Sequence, residues 1–415
     1  MKPHPKHHTA QTVLLVAEML GYGGMSTLVA ETSTLLKKNG YHVHILTVTT
    51  HRHDATFRKR FQDADRIYHM PLRSYHGPGN KLRIVLQTLR LFFRIITQKK
   101  ISLVLCVGPI ATAALSFPLL VLRIPRLFFF ISPLDLELKK NFAMDSGILN
   151  RFRSLLYYWI TWIGLSAFPT ILTYSTYAMR LLQTYYHVTK PIRIIPGFIS
   201  PTQKRRLNLQ TKRSVRKRFG IPQNDFVFLF PSRFEPWKQP ERVFAALPYL
   251  TSPDYTIVFS GYADHAHREK WLSWIRARNL ENHLVFLPHL PKHLLSRLYQ
   301  ASDCVLFPSV NLEMFGYVAL EAFTYGRPVL GSNEGAIPEL LTKVDPRLII
   351  PSPDPLVFAK KMQWMMRLSS HSYRKLSKRC TEVAATFNKP SATAYFLALI
   401  DRTITGKTLK DSSFR

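Results

Sequence analysis

Short apolar runs recur along the chain and alternate with longer stretches that have one apolar and one polar face. The first run, Val13–Ala17, is followed by a glycine loop, an amphipathic stretch ending near Lys38 and a second apolar run at His42–Val48. This alternation predicts a βαβ unit, in which helices cover a parallel sheet. Further strands are predicted in the first half of the chain at Leu103–Val107, Leu127–Ile131, Ile171–Tyr174 and Ile192–Ile195.

A second series of apolar runs begins after a basic, weakly hydrophobic segment at Pro201–Gly220, near which we place the domain boundary. Two such series predict an α/β protein with two doubly wound, Rossmann-like parallel-sheet domains facing a cleft. The predicted domains are residues 1–200 and 201–385, and residues 386–415 are predicted to form a helix packing back on the N-terminal domain. The strands predicted in the second series are Phe226–Phe230, Thr256–Ser260, Leu284–Leu287, Asp303–Phe307, Pro328–Gly331 and Leu348–Ile350.

Two uncharged stretches, residues 101–122 and 154–179, are long enough to be considered as membrane spans. Both are interrupted by glycine and proline, at Gly108 and Pro109 in the first and at Gly164 in the second. The first divides naturally into a strand, a break and an apolar helix. We therefore favour buried strands and helices over membrane spans for both stretches.

The stretch Lys81–Lys100 predicts a basic amphipathic helix with a narrow polar stripe and a broad apolar face. Such a helix can lie in a membrane interface, and it can equally be a core helix with one wet face. The pattern leaves both interpretations open. The polar stripe consists of Arg83, Gln87, Arg90, Arg94 and Gln98.

The chain carries 57 Lys and Arg against 25 Asp and Glu, a formal net charge of +32. The first 200 residues contain 25 basic and 8 acidic side chains, so the excess is not confined to a tail. Such a charge favours anionic partners, among them lipid head groups, nucleic acid and phosphorylated substrates. Because neither a basic recognition module nor aromatic-interleaved strands are found, no specific nucleic-acid partner is expected.

Cysteine usage favours a reducing, cytoplasmic compartment. Cys106, Cys304 and Cys380 are far apart and match neither a disulfide framework nor a zinc-binding spacing. The basic N-terminus has no apolar core typical of a secretory signal. Its histidines His4, His7 and His8 fit a disordered tail better than a metal site, and no metal is expected.

The segment from Pro308 to Leu330 carries the most specific chemistry in the chain. Glu313 follows a predicted strand, a helix is predicted to start near Gly316, and Glu321 lies eight residues beyond Glu313. A helix start offers backbone N–H groups to a phosphate, and two carboxylates beside it can hold sugar hydroxyls. Taken alone, however, the two acids fit ordinary helix residues better.

The wider pattern of this segment resembles the family 4 glycosyltransferases, retaining enzymes of the GT-B fold. Glu313 and Glu321, the strand at Gly326–Val329 and the loop at Glu334–Glu339 match the family's order of motifs. The resemblance covers Phe226 to about Pro351. It implies that Glu313 contacts the transferred sugar and Glu321 the ribose hydroxyls of a nucleoside-diphosphate sugar.

The same resemblance extends to the loop after the first strand of the second domain. Arg233 and Lys238 match the family's cations that neutralise the leaving diphosphate. The resemblance therefore implies that the reaction requires no metal cofactor. Ser232 and Gln239 stand where the family has glycines. The Phe315 N–H group would face the phosphates together with that of Gly316.

Weaker matches complete the predicted site. Gly261 resembles the family's strand-end glycine, and His289 lies in the loop that resembles the one holding the base. Gly23 and Gly24 resemble the opening glycine loop, which lies across the cleft from the donor phosphates. The first domain would thus bind the acceptor and the second the nucleotide sugar.

One departure from the family pattern leaves the acceptor side open. Family members often carry a histidine after the strand that corresponds to Leu127–Ile131, whereas this chain has Ser132 and Asp135 nearby. The expected function is retaining sugar transfer to a lipid-linked or glycan acceptor by a cytoplasmic protein peripheral to the membrane. The alternatives are an inactive GT-B-like binding or scaffold protein and, less favoured, a basic nucleic-acid-binding protein.

Overall fold

The computed structural model describes residues 11–20, 24–49, 61–71, 78–133, 136, 148–195, 197, 209–232, 234, 236–261, 265–310, 313–387 and 390–407. The chain divides into two compact units. Unit 1 comprises Met1–Phe198 and Lys389–Arg415, and unit 2 comprises Ile199–Asn388. His4, His7 and His8 lie outside the described residues.

Unit 1 contains a parallel seven-stranded sheet in the order β3-β2-β1-β4-β5-β6-β7. The strands of the middle are buried almost completely, which explains their continuous apolar runs. Successive strands are added toward one edge of the sheet from β1 to β3 and toward the opposite edge from β4 to β7. The strands are β1 (Thr12–Met19), β2 (His42–Thr49), β3 (Arg66–Pro71), β4 (Leu103–Val107), β5 (Arg126–Phe129), β6 (Ile171–Thr173) and β7 (Ile192–Ile194).

Helices connect these strands, and the C-terminal helix belongs to the same unit. Right-handed crossovers place the helices between β3 and β6 on one face of the sheet. Ile84, Ile110 and Tyr157 form a cluster that joins three of them. The helices of unit 1 are α1 (Gly24–Lys38), α2 (Pro78–Gln98), α3 (Pro109–Val121), α4 (Ile148–Ala167), α5 (Thr176–Thr184) and, near the C-terminus, α14 (Pro390–Thr405).

Strand β3 was not predicted from the sequence. It is the edge strand of the sheet and pairs only with β2 among the described strands, from His44 opposite Arg66 to Thr49 opposite Pro71. Edge strands are often short and carry charged side chains, so they lack the continuous apolar runs of central strands. Here Tyr68 is buried while Arg66 and His69 are exposed, and the hydrophobic signal is correspondingly weak.

Unit 2 contains a parallel six-stranded sheet in the order β10-β9-β8-β11-β12-β13. This is the Rossmann strand order, in which the order of strand addition reverses between the neighbouring strands β8 and β11. The strands are β8 (Phe226–Phe230), β9 (Tyr255–Ser260), β10 (Leu284–Leu287), β11 (Cys304–Phe307), β12 (Val329–Ser332) and β13 (Ile349–Ile350). The helices are α6 (Leu209–Arg218), α7 (Pro240–Ala246), α8 (His265–Arg276), α9 (Lys292–Ala301), α10 (Tyr317–Thr324), α11 (Ile337–Val344), α12 (Pro355–Met366) and α13 (Ser370–Phe387).

The second half of the basic boundary segment is structured. Residues Leu209–Arg218 form α6, and two of its cations pair with Asp303, which directly precedes β11. The Arg216 guanidinium is buried and lies 2.7 Å from Asp303 Oδ2, and Lys212 Nζ lies 2.8 Å from Oδ1. The charge run is therefore partly an internal ion-pair network that fastens α6 to the sheet.

The two uncharged stretches resolve into separate elements. The first becomes β4 and α3, and the second contributes to α4, β6 and α5. In the described part of the chain, none of the helices has the length and apolar character that crossing a bilayer demands. The expectation of burial holds for only one face of α4, because Tyr157 and Leu165 are buried whereas several large apolar side chains are exposed, including Phe152 and Trp159.

Candidate functional site

The two loops that carry Lys238 and Glu313 follow β8 and β11, the neighbouring strands between which the order of strand addition in the unit 2 sheet reverses. Lys238 ends a short 3₁₀ turn after β8, and Glu313 lies in the loop after β11. The Val310 N–H donates to the Trp237 carbonyl at 2.9 Å, which fastens the loops together. Ligands of doubly wound sheets bind at this position, beyond the carboxyl ends of the strands.

Lys238 and Glu313 form an ion pair at the centre of this position. The distance from Lys238 Nζ to Glu313 Oε2 is 2.7 Å, and the two side chains are 18% and 16% exposed. Lys238 Nζ also lies 5.6 Å from the centre of the Phe307 ring. The structure therefore brings together, within unit 2, two of the residues that the sequence predicted for one site.

The Glu313 carboxylate also accepts a hydrogen bond at the start of α10. The Gly316 N–H donates to Glu313 Oε1 at 3.0 Å, and Gly316 caps the helix with φ of 95°. The carboxylate thus occupies an anion position between an ammonium group and a helix N-terminus. A phosphate binding to the Gly316 N–H, as the resemblance implies, requires the Glu313 side chain to move.

Phe315 anchors the loop through its side chain. The ring is 4% exposed and packs against Tyr317, with ring centres 4.8 Å apart, and against Phe387 at 5.9 Å. An aromatic ring fixed in the core on both sides holds the adjoining backbone in place. The Phe315 backbone is thereby held at the start of α10, where the sequence predicted phosphate contact.

The backbone of Glu313 is held by the loop after β12. The Ala336 N–H donates to the Glu313 carbonyl at 2.9 Å. Gly335 has φ of +63°, and a Cβ atom there would lie 2.7 Å from the same carbonyl oxygen. Only glycine allows this close approach, so Gly335 sets the position of the Glu313 backbone.

Gln239, which stands where the family pattern has a glycine, keeps a backbone conformation typical of glycine. Gln239 adopts φ of 52° and ψ of 49°, the left-handed conformation that glycine reaches without strain. Three residues later in α7, Arg242 lies 3.2 Å from Glu334, which precedes Gly335. The loops that carry Lys238 and Gly335 are therefore tied by a second ion pair.

Glu321 lies further along α10 and is bound to α9. Tyr299 Oη donates to Glu321 Oε2 at 3.0 Å, and the Tyr299 side chain is buried. Burial raises the pKa of Glu321 above the usual carboxyl value, opposed by the Tyr299 hydrogen bond and by Lys292. The same burial, with Glu321 beside it, raises the pKa of Tyr299. The two groups border a small cavity of about 30 Å³ together with Lys292 and Tyr325.

The remaining predicted residues are less close to this centre or fall outside the described chain. Gly261 follows β9 and its N–H contacts the Leu287 carbonyl at 3.4 Å, and His289 is exposed just beyond β10. Gly24 is the first residue of α1, and Ser132 follows β5, both in unit 1. The residues outside the described part are Arg233, Gly23 and Asp135.

Three contributors to the site were not assigned roles from the sequence: Tyr299, Arg242 and Gly335. Tyr299 and Gly335 occur within the matched motifs. Their partners, Glu321 for Tyr299 and Glu313 for Gly335, each lie 22 residues away in sequence. Arg242 follows Lys238 by four residues on the next helix, and only its pairing with Glu334 distinguishes it from the many other cations. In the described residues, no group of three or more His, Cys, Asp or Glu side chains could hold a metal ion.

Two sequence families match the chain over almost its whole length. The family described as Glycosyltransferase Family 4 matches residues 22–203, and that described as Glycosyl transferases group 1 matches residues 211–386. Curated relatives include D-inositol 3-phosphate glycosyltransferases. The Corynebacterium diphtheriae protein is 27% identical over 157 residues, which is 36% of each chain. The Salinispora tropica protein is 31% identical over 158 residues, 36% of this chain and 32% of the relative. The matches thus span about a third of these relatives.

Solved structures resemble the whole chain at low identity. Sucrose-phosphate synthase from Thermosynechococcus elongatus has a TM-score of 0.74 at 18% identity, covering 95% of this chain and 99% of its own. WaaG, a glycosyltransferase involved in lipopolysaccharide biosynthesis, has a TM-score of 0.72 at 16% identity over 94% and 99%. Anabaena HepE in complex with UDP-glucose has a TM-score of 0.70 at 15% identity over 95% and 99%.

Two Rossmann-like units with parallel sheets, together with these neighbours, define the GT-B fold. The motifs around Lys238 and Glu313 and the two matching families narrow the class further. The chain belongs to the family 4 glycosyltransferases.

Proposed function

We propose that this protein is a glycosyltransferase that moves a sugar from a nucleoside-diphosphate sugar to an acceptor hydroxyl. The observation that carries the proposal is the anion position in unit 2, where Lys238 and the N-terminus of α10 hold the Glu313 carboxylate. A donor diphosphate has the charge that this position binds. The family membership supports the same activity.

The roles of the site residues follow from their chemistry. On donor binding the diphosphate takes the place of the Glu313 carboxylate beside Lys238, and Glu313 turns to the sugar hydroxyls. The bond between the anomeric carbon and the diphosphate oxygen breaks, and the diphosphate leaves with the electron pair. The acceptor hydroxyl oxygen forms the new bond to the anomeric carbon, and its proton passes to the leaving diphosphate. Lys238 and Arg233 neutralise the charge that develops on it. Glu321, held by Tyr299, accepts hydrogen bonds from the ribose.

The acceptor is a lipid-linked molecule or a glycan, and the protein works at the cytosolic face of a membrane with retention of configuration. Retention and independence from a metal rest on the family resemblance. The membrane location is supported by the net charge of +32, which favours an anionic surface. HepE binds UDP-glucose, so UDP-sugars are the first donors to test.

Donor binding and turnover test the proposal directly. A thermal-shift screen of UDP-, GDP- and ADP-sugars should identify a donor that raises the melting temperature. With that donor, Lys238→Met should reduce the rate of transfer or donor hydrolysis by about 10²- to 10³-fold, the usual loss when one charge-stabilising group is removed. Glu321→Ala should abolish turnover mainly by weakening donor binding.

Lys360→Met is the matched control, because Lys360 is an exposed lysine on α12. It should retain the activity of the unmodified protein. Full activity in folded Lys238→Met and Glu321→Ala would refute the site assignment. Donor binding without turnover on any acceptor would support the inactive binding protein instead.

A further inference from the structure

Exposed apolar side chains are concentrated on one group of helices in unit 1. Among the residues that the structure describes, thirteen of the fifteen exposed large hydrophobics lie on α2, α3 and α4 or directly after α3. Phe117 is 76% exposed, and Phe152 is 64% exposed. Soluble surfaces carry such residues singly, whereas a concentration of them marks an interaction surface.

The exposed residues of α4 form a single stripe. They are spaced by three and four positions, which places them on one side of a helix. The opposite side, with Tyr157 and Leu165, is buried in unit 1. Helix α4 is therefore apolar on both its inner and its outer face. The outer stripe consists of Phe152, Leu155, Leu156, Trp159, Trp162 and Ile163.

Helix α2 carries a similar but basic stripe. Leu82, Leu86 and Phe93 are exposed and lie on one side of the helix by their spacing. Arg83, Arg90 and Arg94 are exposed immediately beside them, while Ile84, Phe92 and Ile95 are buried. Helix α2 thus has a buried apolar face and an exposed face on which apolar and basic side chains lie side by side.

Acidic residues are absent from the sequence of these helices. The chain contains no Asp or Glu from residue 66 to 133, or from residue 148 to 195. The exposed basic residues there include Lys99, Lys100, Arg123 and Arg153 in addition to those of α2. Among the described residues of these two ranges, the exposed surface is therefore strongly apolar and its charges are of a single sign.

We infer that the outer face of α2, α3 and α4 docks on an anionic lipid bilayer. Phenylalanine, leucine and tryptophan side chains enter the interfacial region while arginines contact the lipid phosphates, which is the pattern of interfacial helices. A second copy of the chain is disfavoured as the occupant, because it would bring two surfaces of the same charge together. A nucleic-acid backbone would satisfy the cations but leave the apolar stripe in water.

This inference deepens the membrane part of the proposed function, but its test requires no turnover. The full chain is sedimented with vesicles of equal parts phosphatidylglycerol and phosphatidylcholine, and with phosphatidylcholine alone. We expect binding to the anionic vesicles and much weaker binding to the neutral ones. Because vesicle binding and donor binding are measured separately, either proposal can fail while the other stands.

Two sets of variants localise the surface. Replacing Arg83, Arg90 and Arg94 together by Gln should weaken binding to anionic vesicles by about 100-fold, since each cation near the surface contributes to the attraction. The control replaces three exposed cations of α6, which removes the same charge from unit 2, and should weaken it far less. The control set is Arg213, Lys217 and Arg218 to Gln.

The apolar stripe is tested in the same way. Leu155→Glu with Ile163→Glu should weaken vesicle binding by about tenfold or more, whereas Tyr249→Glu with Leu356→Glu in unit 2 should not. All four positions are exposed, so the changes should leave the fold intact. Circular dichroism and melting temperature check this point.

Tryptophan fluorescence reports insertion itself. Brominated phosphatidylglycerol should quench the emission of the unmodified protein, and Trp159→Phe with Trp162→Phe should lose most of that quenching while still binding vesicles. Absence of binding to anionic vesicles, or equal losses in the test and control variants, would overturn the inference. So would a dimer in vesicle-free buffer that the Leu155→Glu and Ile163→Glu changes dissociate, with no vesicle binding by either form.

Discussion

Glu321 combines an ionisable carboxyl group with a buried hydrogen-bond partner. Its neighbour Tyr299 donates to it, and the burial that raises the pKa of the carboxyl group opposes its ionisation. The site therefore places a carboxylate where charge is disfavoured. Binding groups are often held at such a cost to stability, because the charged form is what recognises a ligand hydroxyl.

Glu321→Gln should stabilise the protein in a pH-dependent way. A carboxyl group whose folded pKa is raised opposes folding once it ionises, so its contribution to stability falls as pH rises through the folded pKa. The melting temperature of Glu321→Gln should exceed that of the unmodified protein by a few degrees at pH 8. The difference should vanish near pH 4, close to the ordinary pKa of glutamic acid of about 4.3.

Thermal unfolding between pH 4 and 8 measures this difference, and donor binding should fall in the same variant because one acceptor oxygen is lost. A melting-temperature difference that is constant with pH would show that the Glu321 charge is not disfavoured in the folded protein.

At this scale, the sequence named Glu313, Lys238 and Glu321 through their motifs. It could not name the Tyr299 partner, because hydrogen bonding between α9 and α10 depends on their packing.

Loops fixed by close backbone contact determine the geometry of the site at the scale of elements. Gly335 lies against the Glu313 carbonyl, and the Trp237 carbonyl holds the loop of Glu313 from the other side through Val310. Three loops after β8, β11 and β12 thus support one another. Parallel strands make this possible, because their carboxyl ends meet at one edge of the sheet.

Gly335→Ala should impair donor binding by displacing Glu313. Gly220→Ala is its matched control, since Gly220 has a similar φ of +67° but nothing within 4 Å of its added Cβ atom. Each change should cost about 1–2 kcal/mol through left-handed strain. Only Gly335→Ala should also weaken donor binding, by about tenfold or more, because a misplacement of 1 Å at a reacting centre is costly.

Urea unfolding gives the stability of both glycine variants, and calorimetry with the donor gives the affinity. Equal donor affinity in the two variants would contradict the role of Gly335.

Most strands were predicted to within one or two residues, because fully buried strands of parallel sheets have continuous apolar runs. Strand β3 was missed because, among its described side chains, Tyr68 alone is buried, so it has no apolar run. Helix α6 was missed because its segment is basic and its ion pairs with Asp303 are long-range.

The last helix contributes to unit 1 although it follows unit 2 in sequence. Phe396 and Ile400 of α14 are buried, and Tyr41 donates a hydrogen bond to Asp401. Burial and the hydrogen bond to Asp401 raise the pKa of Tyr41. At the scale of the whole molecule, a C-terminal segment thus completes the core of the N-terminal unit.

Phe396→Ala should destabilise unit 1 selectively. Removing a fully buried phenylalanine costs about 3–5 kcal/mol. Hydrogen exchange should accelerate at the amides of β4, while those of β11 keep their protection. Phe358→Ala, at a buried position of α12 in unit 2, should give the reverse distribution. Uniform acceleration in both variants would show that the two units unfold together.

The sequence by itself determined the two α/β series and the strands of both sheet interiors, and its motifs predicted the residues of the candidate site. It could do so because the spacing of apolar residues and the loop motifs are local properties of a chain. The tertiary structure decided that Lys238 and Glu313 pair beside the start of α10, that Gly335 holds Glu313 in place, and that α4 exposes an apolar stripe. These features depend on which faces and loops meet in space, and the pattern of apolar residues is the same whether a face is covered or exposed.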